Sequence, residues 1–400
     1  MVRTRRPYIR RGAQGIALLL GLTLIFLVFA EAGLRLCPPG LLPKEIRQWR
    51  HTTPDVVGVH HPYIGHLEQP HRTGVFTGQD FKASYHTDGY GFRNPWPWPD
   101  RADIVVLGNS LTFGYGVEDD QAWPAVLAQS LWPHRVLNLG LMGASPQQYG
   151  RVYETFGTLL HPKVVVVGLF GVEALRAAAL FDRWWQAGRG SNFRLWREFG
   201  NLHFHLAQPL DALQHLFRRY SYVYHVARTV TSMWEQPSSK AFWFVGGRRL
   251  HLVPRRLVEG IAMLRPDRRA FQLVLQALEG IQTSAQAHGA QALFVFQPSK
   301  EEIYLPLLGE KAPDLSRVLR QTLVQRGLVC LDLAPLLQQW AAKGEQLFLA
   351  ADRHPNARGY ALIAQRVLRH LADHAQTYGL RALSRAHGRQ GSQVEAQLSH

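Results

Sequence analysis

A serine follows directly on an apolar run and sits on a glycine-bracketed turn, Gly108-Asn109-Ser110-Leu111-Thr112-Phe113-Gly114-Tyr115-Gly116-Val117. A hydroxyl at that point projects from the carboxyl end of a strand, where the turn's free backbone N–H groups can face a developing oxyanion. Taken alone the pattern is weak, because serines and glycines after strands usually just turn the chain or cap the next helix. Far downstream, Asp352-Arg353-His354-Pro355-Asn356 precedes an apolar helix start at Gly359-Tyr360-Ala361-Leu362. An Asp two residues before a His on a tight loop lets the carboxylate bond one imidazole nitrogen while the other faces the serine across the sheet edge. The chemistry such a set performs is nucleophilic acyl transfer. Ser110 attacks an ester carbonyl, His354 takes its proton as general base, and Asp352 holds the imidazole tautomer, with an acyl-enzyme on Ser110.

The elements that must carry these residues begin at Asp103, where short apolar runs alternate with longer helical ones. The runs Ile104 to Leu107, Val136 to Leu139, Val164 to Leu169, Ala292 to Phe296 and Leu328 to Leu333 are rich in Val, Ile and Leu, as strands buried on both faces require. Helices are expected at about 121–131, 146–160, 267–288, 312–326 and 358–373. The alternation predicts a doubly wound α/β domain, a parallel sheet flanked by helices, over residues 101–375. It breaks between 176 and 266, where Trp184, Trp185, Trp196, Trp234 and Trp243 sit among arginines and histidines. This insertion is expected either to cap the strand ends and bind a sugar or anionic polymer, or to be a small helical subdomain whose tryptophans are its core.

The chain has 400 residues, 46% hydrophobic and 18% charged, with a formal charge of +16. This balance excludes a collagenous or wholly disordered protein, and two cysteines exclude a disulfide-stapled scaffold. Neither Cys37 nor Cys330 has a metal-ligand setting. Arg3, Arg5, Arg6, Arg10 and Arg11 precede a charge-free run from Gly12 to Ala30, 19 residues that reach roughly 28 Å as a helix. With the arginines inside, residues 1–11 form a cytoplasmic tail, 12–33 a single membrane anchor, and the body lies outside, periplasmic or extracellular. Ala30-Glu31-Ala32 keeps a cleaved signal peptide open as the alternative. Residues 34–100 read as a stalk and a lead-in of loops and short strands, and 376–400 as a disordered tail. The histidines at 60, 61, 66 and 71 fit no ligand spacing and are expected on the surface, so no metal is assigned. Nucleic-acid binding is excluded, because the densest basic cluster belongs to membrane topology. Triad chemistry calls for no cofactor.

With both ends in view the sequence resembles the SGNH/GDSL hydrolase superfamily, specifically its membrane-anchored extracytoplasmic members, over roughly residues 85–373. Gly108-Asn109-Ser110-Leu111 is similar to the family's Gly-Asp-Ser-Leu block, with Asn109 in the acidic position, where an amide can still brace the turn. Asn138-Leu139-Gly140-Leu141-Met142-Gly143 resembles the second block, whose last glycine helps to form the oxyanion hole. Asp352-x-His354 resembles the last block. The third block departs: Leu169-Phe170-Gly171-Val172-Glu173 has Val172 where the family has an asparagine. Of three oxyanion donors implied by the resemblance, the backbone groups of Ser110 and Gly143 remain; losing one costs about 10²- to 10³-fold in turnover. The resemblance implies an SGNH hydrolase-like, flavodoxin-like three-layer fold and an esterase acting on acyl groups, O-acetyl above all, of an envelope or exported polysaccharide. An O-acyltransferase with the same triad, and a weakened relative that binds a glycan or a protein partner, stand beside it. Asn138 and Glu173 are candidate substrate-binding residues, and Lys300, in Gln297-Pro298-Ser299-Lys300, either holds an anionic group of substrate or is a solvated lysine on a helix-leading turn.

Overall fold

The computed structural model describes residues 6–38, 41–42, 58–78, 80–197, 221–224, 226–227, 241–245, 248–252, 265, 268–312 and 314–380. They fall into two compact units, one drawn from residues 1–54 and 199–236, the other from 55–198 and 237–400.

The first unit is built on helix α1 (Arg6–Leu36). Its Leu18–Leu36 stretch, of mean hydropathy 1.9, is long and apolar enough to cross a membrane, and none of its residues is fully buried. Near its carboxyl end the Glu31 carboxylate accepts hydrogen bonds from Ser221 Oγ (2.9 Å) and from the Tyr222 and Val223 amides (3.0 and 3.1 Å). Tyr222 and Leu42 pack with Leu34, Cys37 and Val226. The expected insertion over 176–266 is therefore divided: residues 221–227 group with α1, while residues up to 197 belong to the second unit. Trp234 lies outside the described residues.

The second unit opens with two antiparallel hairpins, β1 (Val59–His61) with β2 (Gly65–Leu67) and β3 (Thr73–Thr77) with β4 (Lys82–His86). There follow β5 (Ile104–Gly108), α2 (Ser110–Phe113), α3 (Trp123–Ser130), β6 (Val136–Gly140), α4 (Pro146–Val152), β7 (Val164–Phe170) and α5 (Gly171–Gln186). A hairpin of β8 (Ala241–Val245) and β9 (Arg248–Leu252) precedes α6 (Arg269–Ala287), β10 (Gln291–Gln297), α7 (Lys300–Tyr304), α8 (Arg317–Gln325), β11 (Cys330–Asp332), α9 (Ala334–Ala342) and α10 (Ala357–Asp373). Five strands pair in parallel in the order β11-β10-β7-β5-β6. Helix α3 packs on α10, and α6 on α4 and α5, so helices flank the sheet as a doubly wound fold requires. The strand order reverses between β5 and β7, β6 being added on one side of β5 and β7, β10 and β11 on the other, which puts the switch point, where such folds bind ligands, at the carboxyl end of β5.

Ile104 to Leu107 and Val164 to Val167 are fully buried, which is why these strands read as unbroken apolar runs. The last strand starts two residues later than its apolar run suggests, because the Leu328 amide still closes the end of α8 on Leu323 O (3.0 Å). Three glycines of neighbouring strands stand at one level, Gly108 at the end of β5 facing Gly140 of β6 on one side and Gly168 of β7 on the other. A Cβ on Gly140 would stand 2.5 Å from the Phe113 amide, and one on Gly168 2.4 Å from Thr112 Oγ1. This row without side chains is what lets α2, with Ser110 as its first residue, settle directly onto the sheet.

Residues 58–100 hold the short strands expected of the lead-in, and several of their side chains are buried. Ile64, His66, Phe76, Tyr85, Phe92 and Arg93 are buried, and Phe76 and Tyr85 form a small core with Phe113 and Met142. Aromatic residues at alternate strand positions need an apolar partner, and the nucleophile turn supplies it. Phe181, Trp184 and Phe193 are a further buried cluster, so Trp184 is core, with Trp185 and Trp196 packed at its edge. In the segment expected as a tail, Tyr378 and Leu380 are buried; residues 381–400 lie outside the described residues.

Candidate active site

Helix α2 exists because its ends are capped within its own sequence. Asn109 Oδ1 accepts the Leu111 amide (3.1 Å), and Gly114, at φ +91°, returns its N–H to Ser110 O (3.0 Å). Asn109 thus braces the turn as an uncharged side chain. From outside, Arg93 reaches the carbonyls of Phe113, Gly114 and Val117 (3.3, 2.5 and 3.2 Å) and pairs with Asp119. The run Asp88-Gly89-Tyr90-Gly91-Phe92-Arg93 is more than a chain reversal: the Asp88 carboxylate gathers the Tyr90 and Phe92 amides, Asn94 and Trp98, and so presents Arg93 to the nucleophile turn.

The second loop lies between Phe348, which bridges to Pro355, and Asn356, which caps α10 by accepting the Gly359 amide (2.9 Å). Between them Asp352 Oδ1 accepts the His354 amide (2.9 Å) and lies 2.6 Å from His354 Nδ1. His354 Nε2 lies 2.8 Å from Ser110 Oγ. The three residues thus form one hydrogen-bonded series: with a proton on Nδ1 held by Asp352, Nε2 is free to accept from the serine hydroxyl. Burial acts to raise the Asp352 carboxyl, but the His354 imidazole and amide bonded to it, with Arg353 beside it, hold it well below the usual carboxylate range. The Tyr115 ring packs 4.5 Å from the imidazole. Its phenol is pushed up to about 12 by burial and by Asp352, and so stays protonated at neutral pH.

Lys300 is 1% exposed, and its ammonium donates to the carbonyls of Leu349, Ala350 and Asp352 (3.1, 3.0 and 2.7 Å). It holds the Asp–His loop from beneath. That overturns both expectations for it, since a buried ammonium spent on three carbonyls neither meets substrate nor is solvated. Asp80, from the β3–β4 hairpin, accepts the Ala350 and Ala351 amides of the same loop.

The third loop follows β6. Leu141 N–H donates to Gly108 O (2.9 Å), joining this loop to the end of β5, and Gly143 takes φ +67°. Among the described residues, no internal hydrogen bond takes the amide of Ser110 or of Gly143, which leaves both as candidate oxyanion donors. Asn138 departs from its expected role: it is buried, its amide donates to Thr112 O (3.0 Å), and its carbonyl accepts the Gly140 amide (2.9 Å). It ties β6 to the Ser110 turn, and its side-chain amide is spent within the fold. Glu173 also differs, its carboxylate being occupied by Arg197 and Arg353.

His66 was the least conspicuous of these residues in the sequence, and it is fully buried rather than on the surface. Gln148 Nε2 donates to its Nδ1 (3.2 Å), so Nε2 carries the proton and donates to Met142 O (2.9 Å), next to Gly143. The signal that points to it is the pairing of Ser145 and Gln148 in one capping box, which spends Gln148 locally and directs its amide at the hairpin. Burial, with Arg194 and Arg197 nearby, pushes His66 down to about 3. Because the folded value lies below the ordinary 6.5, the unfolded chain takes up this proton first; the stability is fully present above about pH 6.5 and is lost as pH falls toward 3. The loss from this group by pH 5 is about 2 kcal/mol. Melting temperatures between pH 7.5 and 5 should therefore fall more steeply in the unmodified chain than in His66→Gln, whose side chain does not titrate. Equal slopes would refute the assignment.

Residues 261–396 match the family model described as SGNH hydrolase-like domain, acetyltransferase AlgX. The match takes in Lys300, Asp352 and His354, while Ser110 precedes it. No curated protein matches the chain in sequence. Among solved structures the chain is similar to a member of the lipolytic protein G-D-S-L family from Veillonella parvula, at 13% identity over 66% of this chain and 96% of that one, with a TM-score of 0.34. It is similar to TesA at 15% identity over 67% and 97%, with a TM-score of 0.35. It is also similar to the acetylxylan esterase Axe2 from Geobacillus stearothermophilus at 11% identity over 68% and 95%, with a TM-score of 0.34. With the order of the Ser110, Gly143 and Asp352-x-His354 motifs and the parallel sheet that carries them, the match over residues 261–396 makes the α/β body similar to the SGNH hydrolase-like domains of the SGNH/GDSL superfamily.

Proposed function

We propose that the protein is a membrane-anchored SGNH esterase that works through an acyl-enzyme on Ser110, on O-acetyl groups of an envelope or exported polysaccharide. The observation that carries this reading is the series Ser110 Oγ, His354 Nε2, His354 Nδ1 and Asp352 Oδ1 at the carboxyl end of β5. Ser110 Oγ attacks the ester carbonyl as its proton passes to His354 Nε2, and the amides of Ser110 and Gly143 receive the negative oxygen. The bond to the leaving alcohol breaks and His354 returns the proton to it. An acceptor, water in an esterase, then gives its proton to His354 and attacks the acyl carbon, and the bond to Ser110 Oγ breaks as His354 returns that proton to it. The charge-free run from Gly12 to Ala30 behind five arginines supports an anchor with the body on the far side of the membrane.

The family description as an acetyltransferase favours a second reading, in which a sugar hydroxyl replaces water as acceptor. The two differ only in where the acetyl group goes. Full-length protein in detergent, given 4-nitrophenyl acetate with and without an oligosaccharide, separates them by comparing nitrophenolate released with free acetate formed. Equal amounts mark an esterase, and a shortfall of acetate matched by acetylated sugar marks a transferase. If neither product forms and a fluorophosphonate fails to label Ser110, the acyl-enzyme reading falls, and Val172, with no hydrogen-bond donor in its side chain, points to a binding protein.

A further inference from the structure

Two loops must hold their places relative to Ser110, the one that carries Gly143 and the one that carries Asp352 and His354. They come from opposite ends of the domain sequence and share no strand. One side chain reaches toward both. Glu173, in the first turn of α5, accepts a hydrogen bond from Arg197 Nη2 on one carboxylate oxygen, while Arg353 Nη1 stands 3.3 Å from the other. Arg197 Nη1 goes on to donate to Gly143 O (2.6 Å). Arg353 lies between Asp352 and His354 in the chain, so its backbone is part of the acid–base loop itself.

The charge arrangement makes the link stiff. The Glu173 side chain is 14% exposed and that of Arg197 19%. Burial acts to raise the carboxyl, yet Arg353, Arg197 and Arg176 together hold it below the usual carboxylate range, so it remains an anion that its neighbours need. Arg197 uses both terminal nitrogens, one on Glu173 and one on Gly143 O, which fixes its orientation as a single lysine contact would not, while Arg353 adds one contact from a more exposed side chain. The carbonyl of Gly143 is fixed by Arg197 and that of Met142 by His66, so the peptide plane that contains the Gly143 amide and the plane after it are both held.

We propose that Glu173 is a positioning residue that keeps the oxyanion loop and the Asp–His loop in register through Arg197 and Arg353. This rests on the acyl-transfer reading above. It assigns the carboxylate to the protein's own geometry rather than to substrate, and it adds a direct charged link between two loops that the β3–β4 hairpin also touches, through Asp80 on one and the Phe76 and Tyr85 rings against Met142 on the other.

The test uses the full-length protein in detergent and hydrogen exchange followed by mass spectrometry, which needs no turnover. Glu173→Gln should speed exchange in both 141–145 and 349–354. Arg197→Gln should speed the first segment only, and Arg353→Gln the second only. In turnover, Glu173→Gln should lower kcat by up to about 10²-fold while KM changes by less than about threefold, because misplaced donors fail only in the transition state. The double variant Glu173→Gln with Arg353→Gln should lose little more than Glu173→Gln alone. Faster exchange confined to one loop in Glu173→Gln, or kcat unchanged, would overturn the proposal. The two arginine variants decide it if Glu173→Gln does not fold: exchange unchanged in both would overturn it equally. An unmodified chain without esterase or transferase activity would sink the acyl-transfer reading while leaving the exchange result to judge the coupling.

Discussion

Ser110→Ala is expected to slow release of nitrophenolate from 4-nitrophenyl acetate by about 10⁴-fold or more and to abolish labelling by a fluorophosphonate. The expected loss is large because Ser110 Oγ is the atom to which the His354 series is directed, and a methyl group has no electron pair to offer. The variant should fold normally. Its hydroxyl makes no bond to the sheet, and the turn beneath it is kept by Asn109, Gly114 and Arg93. Residual turnover would come from the amides of Ser110 and Gly143, which the substitution leaves in place. A rate within about tenfold of the unmodified chain would mean that water or another side chain performs the attack, and the assignment of the nucleophile would fail.

For Asp352→Asn the expected loss of kcat is about 10⁴-fold, with KM nearly unchanged. Asp352 Oδ1 accepts two hydrogen bonds from His354, one from the amide and one from Nδ1. An amide there can turn its NH2 toward Nδ1, which forces the imidazole proton onto Nε2 and blocks acceptance from Ser110. Stability should respond with a definite sign. Because the folded carboxyl lies below its unfolded value of about 3.9, its contribution is present above that pH and fades as pH falls through the folded value. Chemical denaturation should therefore show a deficit for the variant at pH 7 that shrinks as the pH drops below about 4. A deficit that stays constant with pH, or turnover within about tenfold of the unmodified chain, would argue against an ionised orienting carboxylate.

Strand positions were legible because buried parallel strands leave unbroken Val, Ile and Leu runs, and β5, β6, β7 and β10 fall where those runs stand. The loops bearing Ser110, Gly143 and Asp352-x-His354 were legible for a related reason. Each follows a strand or leads a helix, and its turn residues, Asn109, Gly114 and Asn356, cap those helices within a few positions. Helix α9 was missed because its start depends on Asp332, at the end of β11, accepting the Ala334 amide, a cap that overlaps the strand.

What surrounds the three loops was decided only by tertiary structure. A charged side chain carries no mark of its partner, and here the partners are distant: Glu173 meets Arg353 across 180 positions, and His66 meets Met142 across 76. Lys300 and Glu173 read as substrate contacts because exposed charge at a strand end is the ordinary case, and folding instead enclosed both behind the loops they hold. The lead-in read only as loops and short strands, because its apolar runs are brief and broken by glycine and proline. Only their packing on the sheet turned them into supports, His66 under the Gly143 loop, Asp80 on the Asp–His loop and Arg93 over the nucleophile turn. Local pattern determined where the reactive groups stand along the chain; long-range burial and pairing decided what holds them still.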